Sequence, residues 1–445
     1  VVKTILFEKT NILGGTVILN LKLHYPTADR PHETYYAEQH GLRLIDAGEL
    51  SVEHDLLDFL IVPSYIKPSF LDSHAFLFNL LTGDYEDSDK LDTRVEVILE
   101  LEHSGGKEVH QGFLVEDTLE YNYESKELQF DAAPKTDILN NTFLFDRDDN
   151  TPINPFGVEN GEYIPLKLVL YYLFKLVRPE LDDEMYFNHN LKFFGAKIDN
   201  PLWKITDLTI DNIELPTSLL FFTEQRGNAT AGDLLKTIAA SFFSIVGFKD
   251  GVTPFFVSME NTFTLRHVSS EKIINKKVSI SEPSPKYFKV NNLDNQNASI
   301  SYGNTNVSDE FKLEQDIVYY ANGWLRENGA SSHVNGFNFR LFRSWWEGIN
   351  FVTEHYHCHG VRDPLATIYA DEFEYEETPA MLLRKWRKYA SSYSLNRVVE
   401  FTLLGLDYDF LRNYLIDNIT YRPISIVRKI GQNQTIMKAV PIVEG

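Results

Sequence analysis

Apolar and polar residues alternate with a period of two along much of the chain, the mark of half-buried strands. Val17, Leu19, Leu21 and Leu23 interleave with Ile18, Asn20 and Lys22 after Gly14-Gly15, and a second extended segment covers residues 50–53. Between Arg94 and Glu102 the odd positions hold Val95, Val97, Leu99 and Leu101, the even ones Arg94, Glu96, Glu100 and Glu102, with Ile98 the exception. Gly105-Gly106 turns the chain toward residues 112–115, and a further alternating strand sets Leu119, Tyr121 and Tyr123 against Glu120, Asn122 and Glu124. The pattern predicts an antiparallel meander with one core face and one solvated, carboxylate-rich face.

Helical spacing is confined to a few windows. Phe70, Leu71, His74, Leu77, Phe78 and Leu81 predict a helix over 70–81 stopped by Gly83, and residues 136–143 a short helix or turn. Pro165 opens a helix lined by Leu166, Val169, Leu170, Leu173 and Val177, which Pro179 stops. Thr230 is an N-cap with Asp233 at the capping-box position; Leu234, Ile238, Phe242 and Ile245 form the stripe and Gly247 the end. The Asp250-Gly251 turn and strands over 255–258 and 262–266 follow. Farther on, the pattern predicts a short strand over 298–302, a helix from Thr378-Pro379 to about residue 393, a strand over 397–404 and a short helix over 409–416. Two last strands, 425–430 and 435–442, flank Gly431-Gln432-Asn433. The polar, proline-bearing stretch 146–157 is the best boundary, so we divide the chain into a strand-rich unit over 1–145, an α/β middle unit over 158–270 and a β-rich unit over 271–445. The fold class is α+β, mainly β, and multi-domain.

Composition narrows the function classes. With 43% hydrophobic and 24% charged residues the 445-residue chain is globular and long enough for two to four domains, and its 13% aromatics favour sheet packing. Sixty-four acidic against 42 basic residues give a net charge of -22, which disfavours tight binding of nucleic acid or an anionic membrane. From Asp84 to Glu124 alone there are thirteen carboxylates against Lys90, Arg94 and Lys107. A single cysteine, Cys358, excludes an intrachain disulfide framework and fits folding in a reducing cytoplasm. The apolar run 163–177 is short for a membrane span and broken by Lys167 and Lys175, and the first residues read as a strand, so neither membrane insertion nor a secretion signal is expected.

The densest set of ligating side chains is Glu354-His355-Tyr356-His357-Cys358-His359. In an extended conformation His355, His357 and His359 share one face, so the competing readings are a transition-metal site, completed in a symmetric trimer, and a histidine-rich strand without metal. Asp146, Asp148 and Asn150 imitate a calcium loop, but Thr151 and Gly157 stand where its glycine and bidentate glutamate belong. Signatures of zinc proteases, serine hydrolases, phosphate-binding loops and dinucleotide folds are absent. The chain is read as a non-enzyme with no cofactor. Trp324, Trp345 and Trp346 lie among Asn, Gly and Ser and are either packing residues or glycan-stacking residues, the latter suiting a carbohydrate-binding or glycan-hydrolysing protein.

Gln111-Gly-Phe-Leu-Val-Glu-Asp117, then Glu127-Leu-Gln-Phe-Asp-Ala-Ala133 and Thr136-Asp-Ile-Leu-Asn140, followed by Thr230-Ala-Gly-Asp-Leu-Leu-Lys-Thr-Ile-Ala-Ala-Ser-Phe242 and an Asp-Gly hairpin, form an order of parts. It resembles the baseplate-hub, or tail-associated, proteins of long-tailed bacteriophages, a family shared with contractile injection systems and type VI secretion spikes. The resemblance covers about the first 270 residues and is one of pattern. It implies tube-like antiparallel β-barrels, one in the first unit and a second in the last. It also implies a homotrimer that presents pseudo-sixfold symmetry to a tail tube or distal tail protein and meets a tip, spike or tape-measure protein. The expected location is the virion tail, assembled in the host cytoplasm, with DNA passing through during ejection. An acidic wall would keep phosphates from sticking, which makes Glu96, Glu100, Glu102, Glu120 and Glu124 channel-lining candidates.

Overall fold

The computed structural model describes residues 2–12, 15–24, 34–53, 60–63, 65–82, 94–103, 105–143, 163–180, 196–197, 210–216, 230–241, 244–249, 253–258, 264–280, 287–292, 331–336, 339–347, 349–358, 374–375 and 397–442. Its first ten strands are β1 (Val2–Ile12), β2 (Gly15–His24), β3 (Thr34–Tyr36), β4 (Leu42–Asp46), β5 (Glu49–Glu53), β6 (Leu60–Pro63), β7 (Ser69–Asp72), β8 (Arg94–His103), β9 (Gly106–Asn122) and β10 (Glu127–Pro134). Eight of them form one sheet in the order β3-β1-β2-β8-β9-β10-β7-β4.

The alternation read from the sequence sets the register of this sheet. Val17, Leu19, Leu21 and Leu23 of β2 stand opposite Leu101, Leu99, Val97 and Val95 of β8, so each apolar residue meets another across the ladder. All eight are buried, in one core with Phe70, Leu77, Leu128 and Phe130. A one-residue slip would turn the whole set to solvent, which is why the pattern specifies the pairing. The sheet curls, and its two edge strands, β3 and β4, are successive in sequence, joined by the 3-10 turn Ala37–His40 and Gly41. Gly41 takes φ 67, and a Cβ there would lie 2.8 Å from the His74 ring. No ladder joins β3 to β4, so the tube-like barrel implied by the resemblance is an open half-barrel, its concave side filled by the core. His40 stacks on Phe76 at 3.9 Å beside this gap, and Tyr35 meets both rings edge-on.

Two local expectations change here. The helix predicted over 70–81 is β7 followed by α1 (Phe76–Thr82). Phe70 is fully buried in the ladder between Leu44 and Leu128, and that pairing overrides its helical spacing. The buried Asp72 then accepts the Phe76 and Phe78 N–H groups at 2.8 and 3.0 Å and fixes where the helix starts. The segments expected over 112–115 and 119–123 belong to one 17-residue strand, β9, whose pairing with β10 jumps from Val115↔Asp131 to Glu120↔Gln129. Thr118 bridges that bulge: its hydroxyl donates to the Val115 carbonyl at 2.7 Å and accepts the Asp131 N–H at 2.8 Å.

Beyond β10 come α2 (Ile138–Asn141), β11 (Tyr163–Pro165), α3 (Leu166–Val177), β12 (Ala196–Lys197), β13 (Ile213–Pro216), α4 (Ala231–Ser241), β14 (Ser244–Lys249) and β15 (Thr253–Ser258). Pro165 is the N-cap of α3 and the last residue of β11, one position ahead of the first helical position expected for it, and Leu166, Val169, Leu170, Leu173 and Val177 are buried. The box at α4 is also present, with the Thr230 N–H on Asp233 Oδ2 at 3.0 Å and the Asp233 N–H on Thr230 Oγ1 at 3.2 Å. This helix stops at Ser241, and Ile245 and Gly247, expected on its stripe and at its end, lie in β14.

The remaining strands are β16 (Thr264–His267), β17 (Ile273–Ile280), β18 (Tyr287–Asn292), β19 (Ser331–Gly336), β20 (Phe339–Glu347), β21 (Asn350–Cys358), β22 (Glu374–Tyr375), β23 (Arg397–Leu404), β24 (Arg412–Ile416), β25 (Ile419–Lys429) and β26 (Gln434–Pro441). A ten-stranded sheet runs β15-β14-β6-β5-β25-β26-β23-β17, with β24 on β25 and β16 on β24; its ends do not meet, so the expected second barrel is not closed either. The sheet draws strands from all three segments into which the sequence divides. Its central ladder sets Glu53, Val52, Ser51 and Leu50 against Ser425, Ile426, Val427 and Arg428. The helix expected over 409–416 is β24, because Asp417 and Asn418 take φ 52 and 63 and turn the chain tightly into β25. A smaller sheet has the order β11-β13-β20-β21, and β12-β22 and β18-β19 are pairs. The connector 146–157, the strand over 298–302 and the helix over 378–393 lie outside the described residues.

Asp72→Ala removes two acceptors from the start of α1 in a buried setting and is expected to cost about 1–2 kcal/mol. Chemical denaturation of the purified variant checks this, and Asp72→Asn is expected to recover part of the loss.

Candidate functional site

The carboxylates of the meander do not form one continuous face. Glu96 is only 7% exposed, with Lys135 at 2.7 Å and His24 at 3.1 Å. Burial pushes its carboxyl up, but the hydrogen bond and charge of Lys135 and the bond to His24 outweigh it and hold the group below its usual range. The expectation of an open acidic face is therefore corrected at Glu96, a neutralised residue under cover. Glu100 is half-buried and paired with Lys107 at 2.7 Å, whereas Glu102, Glu120 and Glu124 are exposed. Glu102 stands opposite Lys107 at the start of β9, and Glu120 lies thirteen residues farther along (120 − 107). That is ~40 Å of extended strand. The exposed charge therefore sits in two groups at opposite ends of the sheet.

The histidine cluster is part of β21, where His355 and His357 pair in register with Phe342 and Arg340 of β20, while His359 lies outside the described residues. Among the described residues no three or more His, Cys, Asp or Glu side chains gather as a metal site. Trp345 and Trp346 are on β20 opposite Val352 and Phe351, and Trp324 lies outside the described residues.

A different constellation occupies the seam between the two large sheets. Glu108, on β9 of the first sheet, is buried and accepts from Arg428 of β25 at 2.7 Å and from His110 Nε2 at 3.2 Å on one oxygen, and from His103 Nε2 at 3.2 Å on the other. His103 Nδ1 accepts the Gly105 N–H at 3.0 Å, so its Nε2 carries the proton given to Glu108 and has no lone pair for a metal. Arg428 also donates to the Tyr408 carbonyl at 2.5 Å. Behind it Arg266 binds both the carboxylate and the carbonyl of Asp407 and lies 5.0 Å from the Tyr408 ring centroid. Burial pushes the Tyr408 hydroxyl up to about 12. A cavity of 130 Å³ lies alongside, lined among others by His103, Glu108, His110, Phe248, Phe255 and Arg428.

Burial alone would raise the Glu108 carboxyl, but the Arg428 charge and the bonds from the two histidines reverse the shift and hold it well below the usual carboxylate range. Both oxygens accept from donors, so the group is an ionised clamp rather than a poised base. None of these residues was singled out from the sequence. The available signal was Arg428 itself, which occupies an apolar register position between Ile426 and Ile430.

Because the folded carboxyl sits below the ordinary value of 4.5, Glu108 contributes stability above that value and loses it as pH falls. Glu108→Gln is expected to destabilise the protein at neutral pH, and the gap from wild type to shrink between about pH 5 and pH 3 in denaturant titrations. Arg428→Met, which strands a buried carboxylate, is expected to cost about 3–5 kcal/mol, and the double variant Glu108→Gln/Arg428→Met to cost less than the two single changes summed.

No family model matches the chain, and no curated protein sequence matches it. Among solved structures, it is similar to the crystal structure of the prophage MuSo2 43 kDa tail protein from Shewanella oneidensis, with a TM-score of 0.42 and 10% identity over 89% of this chain and 96% of that one.

Proposed function

We propose that the chain is a structural protein of a phage tail or related injection apparatus, forming a homotrimeric ring at the distal end that joins the tail tube to a tip or spike and lets DNA pass. The observation that carries this reading is the presence of two large, open, mainly antiparallel sheets in one chain, clamped together at a buried seam. A threefold ring of such chains offers six sheets to a sixfold tube, the symmetry match that the hub resemblance implies. The segments behind that resemblance fall in the same order on β9, β10, α2, α4 and the β14–β15 hairpin.

Charge agrees with a conduit. The net charge of -22, with exposed Glu102, Glu120 and Glu124 on the first sheet, repels phosphate and favours passage over retention. The half-barrel is filled by its own core, so the DNA path in this reading lies outside each half-barrel, along the axis of the ring.

Light scattering on the eluting protein is expected to give three times the 51.3 kDa of one chain. A monomer at every concentration, alone and with the matching tail-tube protein, defeats the proposal.

A further inference from the structure

Where β9 turns into β10, three aromatic rings are held against one another. Phe78 of α1 stacks on Tyr121 with centroids 4.9 Å apart and planes 18° apart, and Tyr123 stands edge-on to Tyr121 at 4.9 Å and 88°. Tyr123 is nevertheless 67% exposed. The platform beneath it is braced on several sides. Tyr121 Oη donates to the Asp72 carbonyl at 2.9 Å, and Asn122 Oδ1 accepts the N–H groups of Glu124 and Ser125 at 2.9 and 3.1 Å. The Lys126 N–H reaches the Asn122 carbonyl at 2.8 Å, and the Lys126 carbonyl accepts the Asp72 N–H at 2.8 Å. An exposed ring on a pre-ordered base loses little freedom on binding, which is how interface anchors work.

Charge selects what binds there. Glu116, Asp117, Glu120 and Glu124 are exposed along the same hairpin, and from 116 to 126 Lys126 is the only cationic residue. An aromatic face attracts a cation through its quadrupole, arginine more often than lysine, and nearby carboxylates enrich cations around it. The same hairpin of a second copy would set carboxylates against carboxylates here and is repelled from this turn. We propose that the β9–β10 turn docks an arginine-bearing basic segment of a different protein, with a guanidinium over Tyr123 and with Glu124 of the turn as counter-charge. This goes beyond the ring reading and holds whether or not the chain forms a ring.

The test is calorimetric titration of the full chain with a peptide of alternating arginine and glycine, and with its citrulline counterpart, which keeps the shape and lacks the charge. The arginine peptide is expected to bind at low salt at least ~10-fold more tightly than the citrulline peptide. Tyr123→Ala is expected to weaken it ~2- to 5-fold. Glu124→Gln is expected to weaken it by a similar factor and to flatten its salt dependence. Circular dichroism confirms that each variant is folded, and Glu38→Gln/Glu271→Gln, at exposed sites on other elements, is expected to bind like wild type. Three results each overturn the proposal: wild-type binding by Tyr123→Ala, an equal loss in the Glu38/Glu271 control, or a change in the protein's own molar mass in Tyr123→Ala, which would mean that a second copy covers the platform.

Discussion

Glu108 and Arg428 meet at 2.7 Å inside the protein although 320 residues separate them in sequence. The contact joins the meander of the first sheet to the central strand of the second. A buried ion pair of this kind adds little net stability over an apolar substitute, because desolvation offsets most of the attraction. Breaking it is another matter, since either partner alone is a buried charge. The clamp therefore acts through the penalty for separating the sheets, and the two histidines sharpen that penalty by donating one further hydrogen bond to each carboxylate oxygen.

What was legible in the sequence follows from how local each cause is. The alternation of β2 and of β8 is a period-two pattern that each strand carries alone, and those apolar positions are buried; that the two strands pair with each other is visible only in the fold. The Pro165 start and the Thr230–Asp233 box are equally local and present. Failures occur where a distant partner outvotes local spacing. Phe70 has helical neighbours in sequence but is held in a ladder between Leu44 and Leu128, and Tyr414 is held in a strand that pairs with Arg266 of β16 as well as with Tyr421 of β25.

The candidate site was less legible for the same reason. Glu96 and Glu102 are indistinguishable as even-position carboxylates of one strand, yet Lys135, 39 residues on from Glu96 (135 − 96), covers only the first. The seam residues come from positions 103–110, 266 and 407–428, and no spacing rule connects them. Barrel closure depends on whether the two edge strands of a sheet meet, and the five residues between β3 and β4 hold those edges near one another without a ladder.

The position of β5 in the second sheet carries a kinetic consequence. Glu53 finds its ladder partner at Ser425, 372 residues later (425 − 53), so a ribosome making this chain emits β5 long before β25 exists. At ~5–20 residues per second that interval is tens of seconds, during which the early strand has no β25 to pair with. A fold with such non-local pairing is slow to nucleate, and incomplete chains expose unsatisfied strand edges. Synthesis of residues 397–441, which carry β23 to β26, is thus the step that lets the two halves of the molecule become one.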